Sequence, residues 1–129
     1  LHIAQATAQD LLADGIQKVG LLGTKYTMTQ DFYKEKLIES GLEVLIPDQA
    51  GITEVNRIIY DELCLGNIKE SSKQAYLAII DELKKAGAEA VILGCTEIGL
   101  LVKQSDTDLP LYDTTVIHAE KAAEWAVNK

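Results

Sequence analysis

The stretch VILGCTE at residues 91–97 decides the fold of this chain. Its three leading apolar residues form a run that is typical of a strand buried on both faces of a parallel sheet. The run ends abruptly in Gly94 and Cys95 and is followed by two polar residues, which is typical of the turn from a strand into a helix. In open α/β sheets, ligands bind in the crevice outside the carboxyl ends of the strands. The stretch therefore predicts a thiol at a ligand-binding edge of a parallel sheet.

Cys95 has neighbours that favour a chemical role over simple packing, although a free cysteine often behaves as a small buried hydrophobe. Gly94 removes a side chain where a ligand would approach the backbone. Thr96 and Glu97 supply polar groups that a purely structural strand end does not need. Because the amino end of the following helix stabilises a thiolate, we expect Cys95 to exchange protons or attack, and to be the more reactive of the two cysteines.

Helical and strand patterns alternate along the rest of the chain, without repeats or long linkers. The strands are predicted at residues 18–24, 43–47, 91–94 and 111–113. Helices are predicted between them, with glycines at their ends and with a capping box at Ser71 and Gln74 in front of the longest one. Strands separated by helices imply right-handed βαβ units and a mainly parallel sheet covered on both faces. The sequence therefore predicts a three-layer α/β domain.

Composition and charge exclude several classes of function. The 129 residues are 47% apolar and 25% charged, as in an ordinary globular domain. The net charge of -8, from 20 acidic and 12 basic residues, disfavours nucleic acid and acidic membranes as partners. No apolar run is long enough to span a bilayer, and no signal segment is recognisable. The two cysteines form neither a disulfide framework nor a metal site, so we expect no metal and a cytoplasmic location.

Three segments resemble the aspartate/glutamate racemase family of cofactor-independent amino-acid racemases. Residues 94–97, GCTE, resemble the second cysteine motif of that family. Residues 19–28, VGLLGTKYTM, resemble the strand and loop that open its second half, and residues 111–114, LYDT, resemble the strand before its last helix. The resemblance implies a flavodoxin-like domain that is about half of a two-domain racemase fold. Residues 1–109 would form the second α/β domain, and residues 110–129 a closing strand and helix that return to the missing first domain.

The resemblance also implies a mechanism, because in that family one cysteine from each domain acts on opposite faces of the substrate α-carbon. Cys95 would be one of these two acid/base residues, with no pyridoxal phosphate or other cofactor, and the partner would be a small amino acid. We expect Thr24, Thr27, Thr96 and Glu97 to bind the substrate. The backbone N–H groups after Cys95 and the hydroxyls of Thr27 and Thr96 would stabilise its α-carboxylate. Glu97 would hold its ammonium group, or would instead be an acidic residue favoured in the first turn of a helix. The first-domain cysteine motif is absent, so we expect a fragment that is inactive without the missing domain.

Other functions stay open at this point. Hydantoin racemases, maleate isomerases and arylmalonate decarboxylases resemble this chain at the same Gly-Cys position. A flavodoxin-like binding module without catalysis is an alternative of a different class. Aspartate-specific relatives use a lysine in the helix that corresponds to residues 62–66, and this chain has no lysine there. The preference for an acidic substrate is therefore open.

Cys64, His118 and the last helix are expected to have structural roles. Cys64 is expected to pack within a helix, and His118 to lie on a surface or between domains. The last helix carries apolar residues that would be uncovered without the missing domain: Val116, Ala119, Ala123 and Trp125. Because such a surface usually finds a partner, we expect either a homo-oligomer or a tail that folds back on its own domain.

Overall fold

The computed structural model describes residues 3–29, 31–95, 97–114 and 117. In this part of the chain a four-stranded sheet is surrounded by helices. The strands are β1 (Lys18–Leu22), β2 (Glu43–Leu45), β3 (Ala90–Leu93) and β4 (Leu111–Asp113). The helices are α1 (Ile3–Ala13), α2 (Lys25–Thr29), α3 (Asp31–Glu39), α4 (Gln49–Asp61), α5 (Glu70–Lys85) and α6 (Ile98–Leu101). Single 3-10 turns lie at Leu63–Leu65 and Gln104–Asp106.

All four strands run parallel, in the order β2-β1-β3-β4. The chain moves outward from β1 to β2, then crosses to the other side of β1 to form β3 and β4. The order therefore reverses between β1 and β3, where Leu22 pairs with Leu93. Such a switch point leaves a crevice beyond the carboxyl ends of the two strands. The loops that follow β1 and β3 begin there, and the second of them carries Cys95.

Helices cover both faces of the sheet, and the sheet separates two apolar cores. On one face, Leu21 and Ile92 pack against Leu11 of α1 and Leu37 of α3. On the other face, the alternate strand residues pack against α4, α5 and α6, with Leu22, Val91 and Leu93 among them. This alternation places apolar side chains on both faces of each central strand, as a doubly covered parallel sheet requires. The predicted three-layer α/β fold is therefore confirmed.

Local sequence signals located the helices well and their caps less well. The predicted stops at Gly15 and Gly87 are confirmed, with φ angles of 81° and 112° that glycine adopts without strain. The predicted capping box is wrong, because α5 already begins at Glu70 and no side chain caps it. Gln74 instead donates to the Glu70 carboxylate at 3.0 Å, along the exposed side of the helix.

Cys64 differs from its prediction. Helix α4 ends at Asp61, and Cys64 lies exposed in the 3-10 turn Leu63–Leu65 that follows. The tighter turn directs Leu63 into the core and leaves the next side chain in solvent. The cysteine is therefore not packed within a helix.

The closing strand belongs to this sheet. β4 pairs with β3, Val91 opposite Leu111 and Leu93 opposite Asp113, and so forms one of its edges. The predicted last helix, including His118, Ala119, Ala123 and Trp125, lies outside the described residues, as does Val116. The division of the chain into residues 1–109 and 110–129 stays a prediction. In the described ranges, no helix is both long and apolar enough to cross a membrane.

Candidate functional site

The ends of β1 and β3 approach each other closely at Gly94. Its backbone N–H donates to the carbonyl oxygen of Leu22 at 2.7 Å, one residue beyond β3. A Cβ atom on Gly94 would lie 2.9 Å from that oxygen and 3.4 Å from Cγ2 of Thr27. The expectation that Gly94 makes room for a ligand is therefore wrong, because protein atoms already occupy this space. The absence of a side chain at Gly94 instead lets the end of β1 and the Thr27 side chain of α2 come close to the backbone just before Cys95.

Cys95 is a protonated thiol held by a neighbouring carboxylate. Its Sγ donates to Oε2 of Glu97 at 2.8 Å, and the side chain is partly buried against the core. Burial raises the pKa of Cys95 to about 12, together with the hydrogen bond and the charge of Glu97. The backbone N–H of Glu97 acts in the opposite direction, but its effect is smaller. The proton therefore stays on sulfur at neutral pH.

The expected helix-stabilised thiolate is thus wrong. α6 is a single turn that begins at Ile98, so its dipole is small, whereas burial and an adjacent negative charge both disfavour the thiolate. The reason for expecting Cys95 to be the more reactive cysteine no longer holds either, because Cys64 is exposed and Cys95 is partly buried.

Glu97 is the ionised member of this pair. The hydrogen bond from Cys95 lowers the pKa of its carboxyl group, and its own backbone N–H lowers that pKa further. The pair therefore carries one proton and one negative charge at neutral pH. A cation that approached Glu97 would stabilise the carboxylate and weaken its hold on the thiol proton.

The hydroxyls of Thr24 and Thr27 form a second pair at the end of β1. Oγ1 of Thr24 accepts the backbone N–H of Thr27 at 3.2 Å and so caps α2. The two hydroxyl oxygens are also 3.2 Å apart. A single hydrogen suffices to connect two hydroxyls, so the other hydroxyl hydrogen can be donated to a ligand. The side chain of Thr27 lies between Gly23 and Gly94, which places it beside the Cys95 loop.

Three polar residues near this edge escaped the sequence analysis. Asn56 of α4 accepts the backbone N–H of Lys25 at 2.7 Å. Thr114 donates to the Leu93 carbonyl oxygen at 3.2 Å, beyond the end of β4. Asp113 brings a second carboxylate to α6, since its Oδ2 would be 3.0 Å from a Cβ on Gly99. Polar residues at and directly after the end of a strand could have indicated Asp113 and Thr114, but nothing local distinguishes Asn56 within its helix.

The structure therefore brings four of the five predicted site residues, Thr24, Thr27, Cys95 and Glu97, to the switch point of the sheet. Thr96 lies outside the described residues. Within those residues, no group of three or more histidine, cysteine, aspartate or glutamate side chains is arranged to hold a metal ion. What the edge offers is a thiol–carboxylate pair beside a pair of hydroxyls, a set suited to proton transfer and to binding a small charged molecule.

Comparison with known proteins gives one consistent result. The sequence profile of the family described as Asp/Glu/Hydantoin racemase matches residues 1–122. An uncharacterized protein in the pnlA 3' region of Pectobacterium carotovorum subsp. carotovorum is 31% identical over 127 residues, which are 97% of this chain and 83% of that protein.

Solved structures show the same similarity. A candidate Asp/Glu racemase from Yersinia pestis is 52% identical, with a TM-score of 0.95 over 98% of this chain and 56% of its own. An aspartate racemase homologue from Pyrococcus horikoshii OT3 is 44% identical, with a TM-score of 0.91 and the same two coverages of 98% and 56%. The Picrophilus torridus aspartate racemase, at 22% identity and a TM-score of 0.68 over 88% of this chain and 47% of its own, is similar in fold. This chain spans about half the length of these solved proteins, and it belongs to the Asp/Glu/hydantoin racemase family.

Proposed function

We propose that this chain supplies one half of the active site of an amino-acid racemase, with Cys95 as one of two acid/base residues. The observation that carries the proposal is the hydrogen bond from Cys95 to Glu97 at the switch point of the sheet. A thiol that keeps its proton beside an ionised carboxylate is a proton donor whose acidity changes when a cation binds the carboxylate. Family membership supports the reaction class, because racemisation is a proton transfer at carbon.

Inversion requires that one group removes the α-proton and that another returns a proton to the opposite face. In one direction the opposing base takes the proton, and Cys95, protonated in this structure, donates its own to the carbanion. In the other direction the Cys95 thiolate removes the α-proton, and the opposing acid supplies the new one. Each step moves one proton and leaves the electron pair of the broken bond on the atom that lost it.

Glu97 allows Cys95 to act in both directions. When the ammonium group of an amino acid pairs with Glu97, its positive charge opposes the negative field that keeps the thiol protonated. The pKa of Cys95 then falls, and the thiolate becomes accessible only when substrate is present. An ammonium group is thus the part of the substrate that Glu97 suits best. A hydantoin ring carries no ammonium, so Glu97 favours an amino acid over a hydantoin.

Charge that develops on the α-carboxylate also needs stabilisation, because we propose no pyridoxal phosphate or other cofactor. The spare hydroxyl hydrogen of the Thr24 and Thr27 pair is one donor for that carboxylate. Thr96, next to the thiol in sequence, is a second candidate. Aspartate and glutamate are the substrates to test first. A reducing cytoplasm suits a chemistry that depends on a free thiol.

The opposing acid/base group is proposed to come from a part of the fold outside this chain. This chain covers 56% of each of two solved relatives, which leaves room in a longer parent for a segment that supplies the opposing group. The four-stranded sheet, with β4 at its edge, would then belong to the second domain of a two-domain racemase. By itself the chain has one face of the site and should not turn over.

The test is racemisation of aspartate and glutamate by the full-length parent without added cofactor, followed by chiral chromatography. Cys95→Ser should lose at least about a hundredfold in kcat/KM, since acid/base groups contribute on that scale. Cys64→Ser is the matched control and should keep the wild-type rate, because Cys64 lies in a separate exposed turn. Wild-type activity in Cys95→Ser, or turnover by the 129-residue chain in proportion to its concentration, would contradict the proposal.

A further inference from the structure

We infer that Asn56 is a positioning residue, which sets the Thr24 and Thr27 hydroxyls for substrate binding. The inference rests on the proposed function and adds to it a residue from a different element, helix α4. Asn56 is partly buried, and its Oδ1 accepts the backbone N–H of Lys25 at 2.7 Å, across 31 residues of sequence.

The contact satisfies a backbone donor that the helix itself cannot satisfy. Lys25 is the first residue of α2, and the first N–H groups of a helix have no acceptor within it. Thr24 caps the N–H of Thr27 through its own side chain, and Asn56 caps the N–H of Lys25 from α4. Two backbone N–H groups in the first turn of α2 therefore have acceptors, one in the preceding residue Thr24 and one in helix α4.

α2 depends on this outside support because it has only five residues. A helix of that length is not stable by itself in water. α4, in contrast, has thirteen residues, an Asp48 side chain that accepts the N–H of Gly51 at 2.7 Å, and a buried face that includes Val55 and Ile58. Asn56 thus connects a well-anchored helix to a short one.

The side chain of Thr27 lies beside Gly23 and Gly94, so a movement of α2 would change its position relative to the site. A Cβ on Gly23 would be 3.2 Å from Cγ2 of Thr27, and one on Gly94 would be 3.4 Å from the same atom. The partly buried side chain of Thr27 thus lies beside the ends of both central strands. Without Asn56, α2 can move relative to these strand ends, and the two hydroxyls lose their fixed orientation toward the site.

The experiment compares Asn56→Ala with Asn56→Asp, which keeps an acceptor oxygen at the same position. Asn56→Gln, whose longer side chain displaces the acceptor, is a second disruptive variant, and Asn67→Ala in an exposed loop is the control. Two quantities are measured: KM and kcat for aspartate in the full-length parent, and hydrogen exchange of the Lys25 and Thr27 amides in the 129-residue chain.

We expect Asn56→Ala and Asn56→Gln to raise KM about tenfold while kcat falls less than about threefold, because the thiol and carboxylate pair is not touched. Exchange of the Lys25 amide should become about tenfold faster in both variants. Asn56→Asp should restore KM and protection together, and Asn67→Ala should change neither.

Unchanged protection of Lys25 in Asn56→Ala would overturn the inference, and so would an unchanged KM when that protection is lost. A rise in KM in Asn56→Asp as large as in Asn56→Ala would also overturn it. If the wild-type parent shows no racemisation, the proposed function fails, and the amide exchange of Lys25 still decides whether Asn56 anchors α2.

Discussion

Replacing Glu97 with glutamine should make Cys95 easier to ionise and faster to alkylate. The carboxylate of Glu97 contributes two of the causes that raise the pKa of this thiol, the hydrogen bond at 2.8 Å and the negative charge. Glutamine keeps the size and a hydrogen-bonding oxygen but removes the charge. Burial, which is the largest cause, remains in the variant. The pKa of Cys95 should therefore fall without reaching its ordinary value of 9.0.

The size of the effect follows from the thiolate fraction. With a pKa of about 12, Cys95 is ionised to about one part in ten thousand at pH 8, against about one part in ten at the ordinary value. Since burial persists, we expect the variant pKa to lie between about 10 and about 11. The alkylation rate, which follows the thiolate, should then rise between about tenfold and about a hundredfold at this pH.

The assay is alkylation with iodoacetamide at a series of pH values, read out by peptide mapping. Cys64 provides an internal reference in each sample, because it is exposed and lies in a different turn from Glu97. In the wild type, Cys64 should label faster than the partly buried Cys95. Glu39 is an exposed carboxylate at the end of α3, and Glu39→Gln is the control for the loss of one negative charge away from Cys95.

Two results would refute this reasoning. In the first, wild-type Cys95 labels as fast as Cys64, with an ionisation near the ordinary thiol value. In the second, Glu97→Gln leaves the Cys95 rate within about twofold of wild type while Glu39→Gln behaves identically. Either result would mean that Glu97 does not hold the thiol proton.

Two further predictions concern stability. Gly94→Ala should destabilise the fold by about 1–3 kcal/mol in urea unfolding, because its Cβ would meet the Leu22 carbonyl oxygen, a backbone atom. Gly20→Ala should cost less, because its nearest contact is the movable end of the Leu83 side chain, and an equal cost would contradict the argument. Ser72→Ala should lower the urea midpoint at pH 7, because the Ser72 hydrogen bond, ahead of Arg57, lowers the pKa of Glu62. A carboxyl group whose pKa is lowered by folding stabilises the protein at pH values above its pKa in the unfolded chain, and this stabilisation is lost as the pH falls. The difference in stability between wild type and Ser72→Ala should therefore shrink below about pH 4.5. A difference that stays constant with pH would contradict this assignment.

The fold and the location of the site were predictable because their signals are local. An apolar run that ends in Gly94 and Cys95 indicates a buried parallel strand and its carboxyl end without knowledge of the rest of the chain. Alternation of strands and helices then implies a parallel sheet with both faces covered, and parallel strands bring their carboxyl ends to one edge. Hence Thr24, Thr27 and Cys95 meet as expected.

The chemical state of the site was not predictable, because it depends on contacts that tertiary packing creates. The raised pKa of Cys95 requires the burial of the thiol and the direction of the Glu97 side chain, neither of which the letters GCTE specify. The contact from Asn56 to Lys25 joins residues 31 positions apart. The sequence shows a glycine at position 94, but it does not show why a side chain is excluded there, which is the proximity of the Leu22 carbonyl oxygen on a neighbouring strand.

The central claim is that Cys95 transfers the proton on one face of the substrate α-carbon. Its most direct test is deuterium incorporation at that carbon, measured by proton NMR with the full-length parent in D2O and each aspartate enantiomer in turn. The wild type should incorporate deuterium from both enantiomers with inversion. Cys95→Ser should lose inversion in both directions, and should lose at least about a hundredfold of the incorporation from the one enantiomer whose α-proton faces Cys95. Incorporation and inversion at wild-type rates from both enantiomers in Cys95→Ser would contradict this role of Cys95.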